Sequence, residues 1–164
     1  MSANGLAVFD KTIQTTNIWL DEVMEDLGED RQVAWKVLGV VIRKLRDRLP
    51  VELAAHLGAD LPLLIRGAYY DQFEPARQPT RLHTYEQFCG EIAEHLRDTR
   101  PVDPGVVVLS VFGLLSRHLP EGQIAKVQEA LPHDIRKAWP TAEARMERRL
   151  RDGESMEDRW PPRV

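Results

Sequence analysis

Apolar residues recur along this chain at the three-to-four-residue spacing of helices that bury one face. Leu6, Phe9, Ile13, Leu20, Val23 and Leu27 carry a first stripe, with Gly28 as its stop. Val37, Leu38, Val41, Ile42, Leu45 and Leu49 carry a second, over about Arg31 to Arg48. Glu29 and Asp30 precede it, where carboxylates favour a helix N-terminus. Pro50 and Pro62 suit the first position of two shorter helices; Gly58 ends the first of these, and the second runs through Tyr70. Period-two alternation is absent over any useful length, and the pattern predicts an all-α fold.

The pattern then repeats. Shifting Val37–Tyr69 by 70 residues lays it on Val107–Trp139 without a gap, and eleven of the 33 positions are identical. The pairs are Val37/Val107, Val41/Val111, Leu45/Leu115, Leu49/Leu119, Pro50/Pro120, Ala55/Ala125, Leu61/Leu131, Pro62/Pro132, Ile65/Ile135, Arg66/Arg136 and Ala68/Ala138. Apolar residues and proline dominate, as two copies of one packing scheme require. A shift of 69 pairs Trp19 with Phe88 and Val23 with Ile92 upstream. Thr84 and Gln87 have capping-box spacing, and Asp103-Pro104 is a cap and first-turn pair. Two tandem units of about four helices each are expected: residues 1–72, then 83–140, joined by a linker over 73–82. A C-terminal helix over 141–151, carrying Ala142, Arg145, Met146, Arg149 and Leu150, and a flexible tail over 152–164 complete the expectation. Trp160 in that tail either docks on the body or meets a partner.

Several short strings resemble a known family: Thr16-Asn17-Ile18-Trp19-Leu20, Leu45-Arg46-Asp47-Arg48-Leu49-Pro50, Ala54-Ala55-His56-Leu57-Gly58-Ala59, Leu61-Pro62 and Arg66-Gly67-Ala68-Tyr69-Tyr70. Together they resemble the bacterial family named domain of unknown function 2267, from about Phe9 to Trp139. The resemblance implies a cytosolic bacterial protein of helical repeats; the family has no established activity to carry over.

Composition narrows the function classes. The 164 residues are 43% hydrophobic and 29% charged, with net charge −4, so nucleic acid is not an expected partner. Lys36, Arg43, Lys44, Arg46 and Arg48 make the second helix basic, as Arg145, Arg148, Arg149 and Arg151 do near the end. Interleaved Asp47, Glu143 and Glu147 give both the reading of solvated helix faces. The single cysteine, Cys89, excludes an intramolecular disulfide and a cysteine metal cluster. The first residues lack the basic and apolar regions of a signal peptide, and Val106–Leu115 is too short an apolar run to span a bilayer. A cytoplasmic, non-membrane protein is expected.

Catalytic chemistry finds little to work with. Glu91 and His95 share a helix face, but the matching helix offers Glu22 and Glu25 without a histidine, so a solvated face is the reading. His133-Asp134 lacks the further histidines of a metal phosphohydrolase, and a first-turn aspartate is explained by the helix dipole. No nucleophile elbow or phosphate loop is present. No catalytic residue, metal ligand or cofactor is assigned, and the reading leans away from an enzyme. Arg66 and Arg136 stand out because the repeat keeps them among core positions. Each is either a structural arginine that caps carbonyls or pairs with a neighbouring carboxylate, or part of an anion site; Tyr69, Tyr70 and Phe73 beside Arg66 either line a groove or plug the junction between the copies. Two functions are carried forward: a non-enzymatic protein-interaction or scaffold module, with a protein partner or self-association; and a small-molecule or anion-binding protein, with or without weak enzymatic activity, using a cleft between the repeats near Arg66, Tyr69, Tyr70 and Arg136.

Overall fold

The computed structural model describes residues 5–140, and those residues form eight α-helices and no strand. The expected C-terminal helix (141–151) and tail (152–164) lie outside them. The helices are α1 (Ala7–Leu27), α2 (Arg31–Arg48), α3 (Val51–Asp60), α4 (Leu63–Tyr70), α5 (Tyr85–His95), α6 (Pro104–His118), α7 (Glu121–Ala130) and α8 (His133–Arg136).

Local chemistry explains where they start and stop. Asp30 accepts from Val33 N–H at 3.1 Å, Asp103 accepts from Gly105 N–H at 2.8 Å, and Thr84 with Gln87 forms a full capping box. Gly28 stops α1 at φ +102°, and its N–H donates to Met24 O at 2.8 Å. The four prolines sit one position earlier than the sequence suggests. Pro50, Pro62, Pro120 and Pro132 are N-caps, with extended ψ of 136–148°. Each carbonyl accepts the first helical hydrogen bond, while the ring needs no N–H there. Gly58 does not end α3, which continues to Asp60. A Cβ at Gly58 would lie 2.4 Å from the Tyr70 hydroxyl and 2.9 Å from the Tyr69 ring, so this glycine serves packing.

α2 and α6 form the centre. α1 packs on α2, α4 and α6; α5 packs on α2, α6 and α8; α3 bridges α4 and α7. α6 is apolar on nearly every side, with Val107, Val108, Val111, Phe112, Leu114 and Leu115 all buried, as a helix enclosed by neighbours must be. The buried residues make one continuous core to which both halves contribute, with Trp19, Tyr69, Phe88 and Phe112 its largest members. Each fully buried apolar side chain of this size contributes about 1.5–3 kcal/mol. Residues 73–82 contain a 3-10 turn, Pro75–Arg77. They are tied to α2: Thr80 N–H donates to Asp47 O at 2.8 Å, the Gln78 side-chain amide donates to Arg46 O, and Arg48 Nε donates to Leu82 O at 2.6 Å.

Candidate functional site

α2 buries one face and leaves a second, spaced i, i+4, i+8, beside α4. Trp35, Gly39 and Arg43 lie on it, and with Lys36 they form one wall of an open groove of about 560 Å³. Leu64, Gly67, Ala68 and Asp71, at the matching spacing on and just past α4, form the other wall. Gly39 makes room for a specific arrangement: a Cβ there would sit 2.8 Å from Arg43 Nη1, and that nitrogen donates to Ala68 O at 3.1 Å. Burial lowers the Arg43 pKa, and the Asp71 carboxylate opposes that shift.

One lining residue, Leu64, joins the groove to the first half of α1. Leu64 N–H donates to Thr12 Oγ1 at 3.0 Å, which seats the start of α4 against α1. Phe9 and Ile13 flank Thr12 on α1, and Leu63 adjoins Leu64 on α4; these four side chains are between 42% and 51% exposed. Leu6, just before α1, is exposed as well. The sequence stripe of Leu6, Phe9 and Ile13 is therefore not core. α2 is shorter than α1 and packs with α6 against its second half, around Trp19, Leu20 and Val23.

The residues singled out from the sequence, Arg66, Tyr69, Tyr70 and Arg136, bond to backbone carbonyls. Arg66 Nη2 donates to Ala59 O at 3.1 Å and Leu61 O at 2.9 Å. Tyr69, fully buried, donates its hydroxyl to Ala54 O at 2.6 Å, and burial pushes its pKa well up. Tyr70 donates to Ala55 O at 3.3 Å and packs edge-on against Tyr69 and Phe73. These three therefore come together on the carbonyls of α3. Arg136 repeats the Arg66 bonds at the end of α7, to Glu129 O at 3.1 Å and Leu131 O at 3.2 Å.

The family described as an uncharacterized conserved protein (DUF2267) matches residues 16–138. The chain belongs to this family. No curated protein matches it. The matched span contains the whole groove but not Phe9 or Ile13, so the apolar face combines family residues with a preceding turn.

Several polar residues read as solvated from the sequence prove to be joints. Arg46 is 2% exposed. Its Nη1 donates to Tyr69 O at 2.5 Å and Asp71 O at 2.7 Å, it pairs with Asp47 at 2.8 Å, and its guanidinium lies 5.2 Å from the Phe73 ring centre. A signal for this existed, since Leu38, Ile42 and Arg46 follow one another at four-residue spacing in the buried stripe. Lys44 lies 3.5 Å from Glu91 and Arg31 binds Asn17 and Asp21, so five of the six basic residues of α2 have partners within the fold. Glu22, mostly buried, binds His118 Nε2 and Arg117 Nε, while His118 stacks on Trp19 at 5.0 Å. Ser110 Oγ donates to Asp26 at 2.7 Å across the same α1–α6 contact. Asp134 accepts from Tyr85 N–H at 2.7 Å, which lowers its pKa and ties α8 to the start of α5; the helix dipole alone does not account for it. Cys89 lies partly buried, and burial pushes its thiol pKa up, the wrong direction for a nucleophile. Among the described residues no three His, Cys, Asp or Glu side chains gather as a metal site needs, and no helix is long and apolar enough to cross a membrane.

Proposed function

We propose that this protein is a non-enzymatic interaction module that docks a protein partner on the face formed by the first half of α1 and the start of α4. One observation carries the reading: Phe9, Ile13, Leu63 and Leu64 are large, apolar and about half exposed around a single α1–α4 hydrogen bond. Contiguous apolar surface of this kind on a folded protein marks an interaction site. The adjoining groove supports the same use. Gly67 leaves open space for close approach of a partner backbone, Trp35 supplies an aromatic wall, and Lys36 and Asp71 offer one charge of each sign. The two-unit organisation and its boundaries belong to this proposal, supported by the matching carbonyl bonds of Arg66 and Arg136 seventy residues apart.

The groove also supports a second reading, a small anionic ligand held near Lys36. Arg66, Tyr69 and Arg136 have donors committed to backbone carbonyls, so this reading is better supported at the groove than at those residues.

A photoreactive benzophenone amino acid at Ile13, in the full chain in its host cell, tests the first reading against the same probe at exposed Glu52 on α3. The expected result is a discrete adduct of higher mass from Ile13 alone, lost on Phe9→Asp with helicity unchanged. Equal labelling from both positions, or none from Ile13, would sink the docking reading.

A further inference from the structure

Lys36 is the one basic residue of α2 that meets no acceptor among the described residues. It is nevertheless half-buried, on the groove wall with Trp35 and Gly39. A charge withdrawn from water without a counter-charge is unfavourable, and an anion brought beside it relieves that cost. The other two charges of the groove answer each other. The Asp71 carboxylate favours the charged form of Arg43, whose Nη1 already donates to Ala68 O at 3.1 Å. The groove therefore carries one uncompensated positive charge, at Lys36.

Space lies beside that charge. A Cβ at Gly67 would meet nothing within 4 Å, and Trp35 and Leu64 supply apolar surface on either wall. The 70-residue shift pairs Lys36 with Val106, Gly39 with Leu109, Leu64 with Asp134 and Gly67 with Lys137. The free lysine and both glycines therefore belong to this groove and not to the repeated packing scheme. Arg43 meets Ala68, and Arg46 farther along α2 meets Tyr69 and Asp71, so the two helices advance together. Trp35 and Lys36, earlier on α2, fall toward Leu64, whose N–H is bonded to Thr12 between Phe9 and Ile13.

We propose that the groove receives an acidic, apolar segment of the partner protein: an aspartate or glutamate side chain pairs with Lys36, and a neighbouring large apolar side chain lies over Gly67 between Trp35 and Leu64. The partner is the one docked on α1 and α4, so this site rests on that reading and adds the chemistry that recognises it. Charge complementarity selects the occupant, because a basic or uncharged segment would cover Lys36 and leave its ammonium unpaired.

The test is a selection of randomised short peptides displayed on phage against the purified full chain. Selected sequences should be enriched in aspartate or glutamate beside leucine, phenylalanine or tryptophan. A synthetic peptide of the leading sequence should lose affinity by about tenfold or more on Lys36→Glu, with helicity unchanged. Gly67→Trp, which fills the groove from a position facing open space, should weaken it as much, while Gly122→Trp on α7, equally open, should not. Replacing the acid of the peptide by lysine should restore binding to the Lys36→Glu chain. No selected sequence, basic or uncharged sequences, or an affinity indifferent to Lys36→Glu would overturn the proposal. The Ile13 adduct in the host cell separates this site from docking itself. An adduct that persists in Lys36→Glu and Gly67→Trp overturns the acidic site and leaves docking intact; no adduct even in the unaltered chain removes both.

Discussion

Replacing Arg46 with methionine, which keeps much of the stem and removes the guanidinium, should be among the costliest single changes in this protein. Arg46 Nη1 is the donor shared by Tyr69 O at 2.5 Å and Asp71 O at 2.7 Å, at the end of α4 where helical carbonyls have no helical partner. Hydrogen bonds from a charged donor contribute about 1.5–3 kcal/mol each. The substitution also removes the ion pair to Asp47 and the contact with Phe73. Against this, burying the guanidinium had its own desolvation cost, which the variant no longer bears. Breaking one partner of a comparably buried charge arrangement costs about 3–5 kcal/mol. With a urea slope near 2 kcal/mol/M, the midpoint of unfolding followed by circular dichroism should fall by about 2 M at unchanged slope. Arg43→Met is the control: it loses one carbonyl bond at 3.1 Å from a half-buried site and should cost about 1 kcal/mol. Arg46→Lys should fall between, since an ammonium keeps the charge but cannot reproduce the planar fork. If Arg46→Met costs no more than Arg43→Met, the claim that Arg46 anchors the end of α4 is wrong.

Two further outcomes follow from packing and charge. Gly58→Ala should destabilise by about 1–3 kcal/mol by overpacking the Tyr69 and Tyr70 rings, despite alanine's better helix propensity; a raised melting temperature would refute the contact. Burial alone would raise the Glu22 pKa, but its hydrogen bond to and the charge of His118, with the charge of Arg117, overcome this and leave it below the ordinary 4.5. A depressed folded pKa contributes stability that is present above 4.5 and lost as pH falls through the folded value. Urea midpoints taken from about pH 6 to pH 3 should therefore drop less steeply in Glu22→Gln than in the unaltered chain, and parallel curves would contradict it.

The all-α class, the start and end of α2, the stop at Gly28 and the caps at Thr84 and Asp103 were legible in the sequence, because each depends on residues within one or two turns. So were the buried faces of α2 and α6, since helical periodicity reports which side of a helix avoids water. The sequence could also mark Arg66 and Arg136 as unusual, through their place in a repeat of core positions. It could not say what their donors meet, because Ala59, Leu61, Glu129 and Leu131 carbonyls are bonded by backbone geometry that no residue type announces. The remaining misreadings share that cause. Gly58 looked like a helix end until two tyrosine rings came to rest on it. Glu22 and Arg46 looked like members of solvated faces, yet His118, which binds Glu22, lies 96 residues away, and the Tyr69 and Asp71 carbonyls that hold Arg46 lie 23 and 25 residues away. Phe9 and Ile13 looked like core, but whether an apolar stripe is covered depends on the lengths and positions of the neighbouring helices. Pattern determines which faces must seek cover; only the tertiary arrangement decides which of them find it, and here Phe9 and Ile13 stay half exposed because the start of α4 reaches this end of α1 only at Thr12, while Trp19, Leu20 and Val23 farther along it are buried.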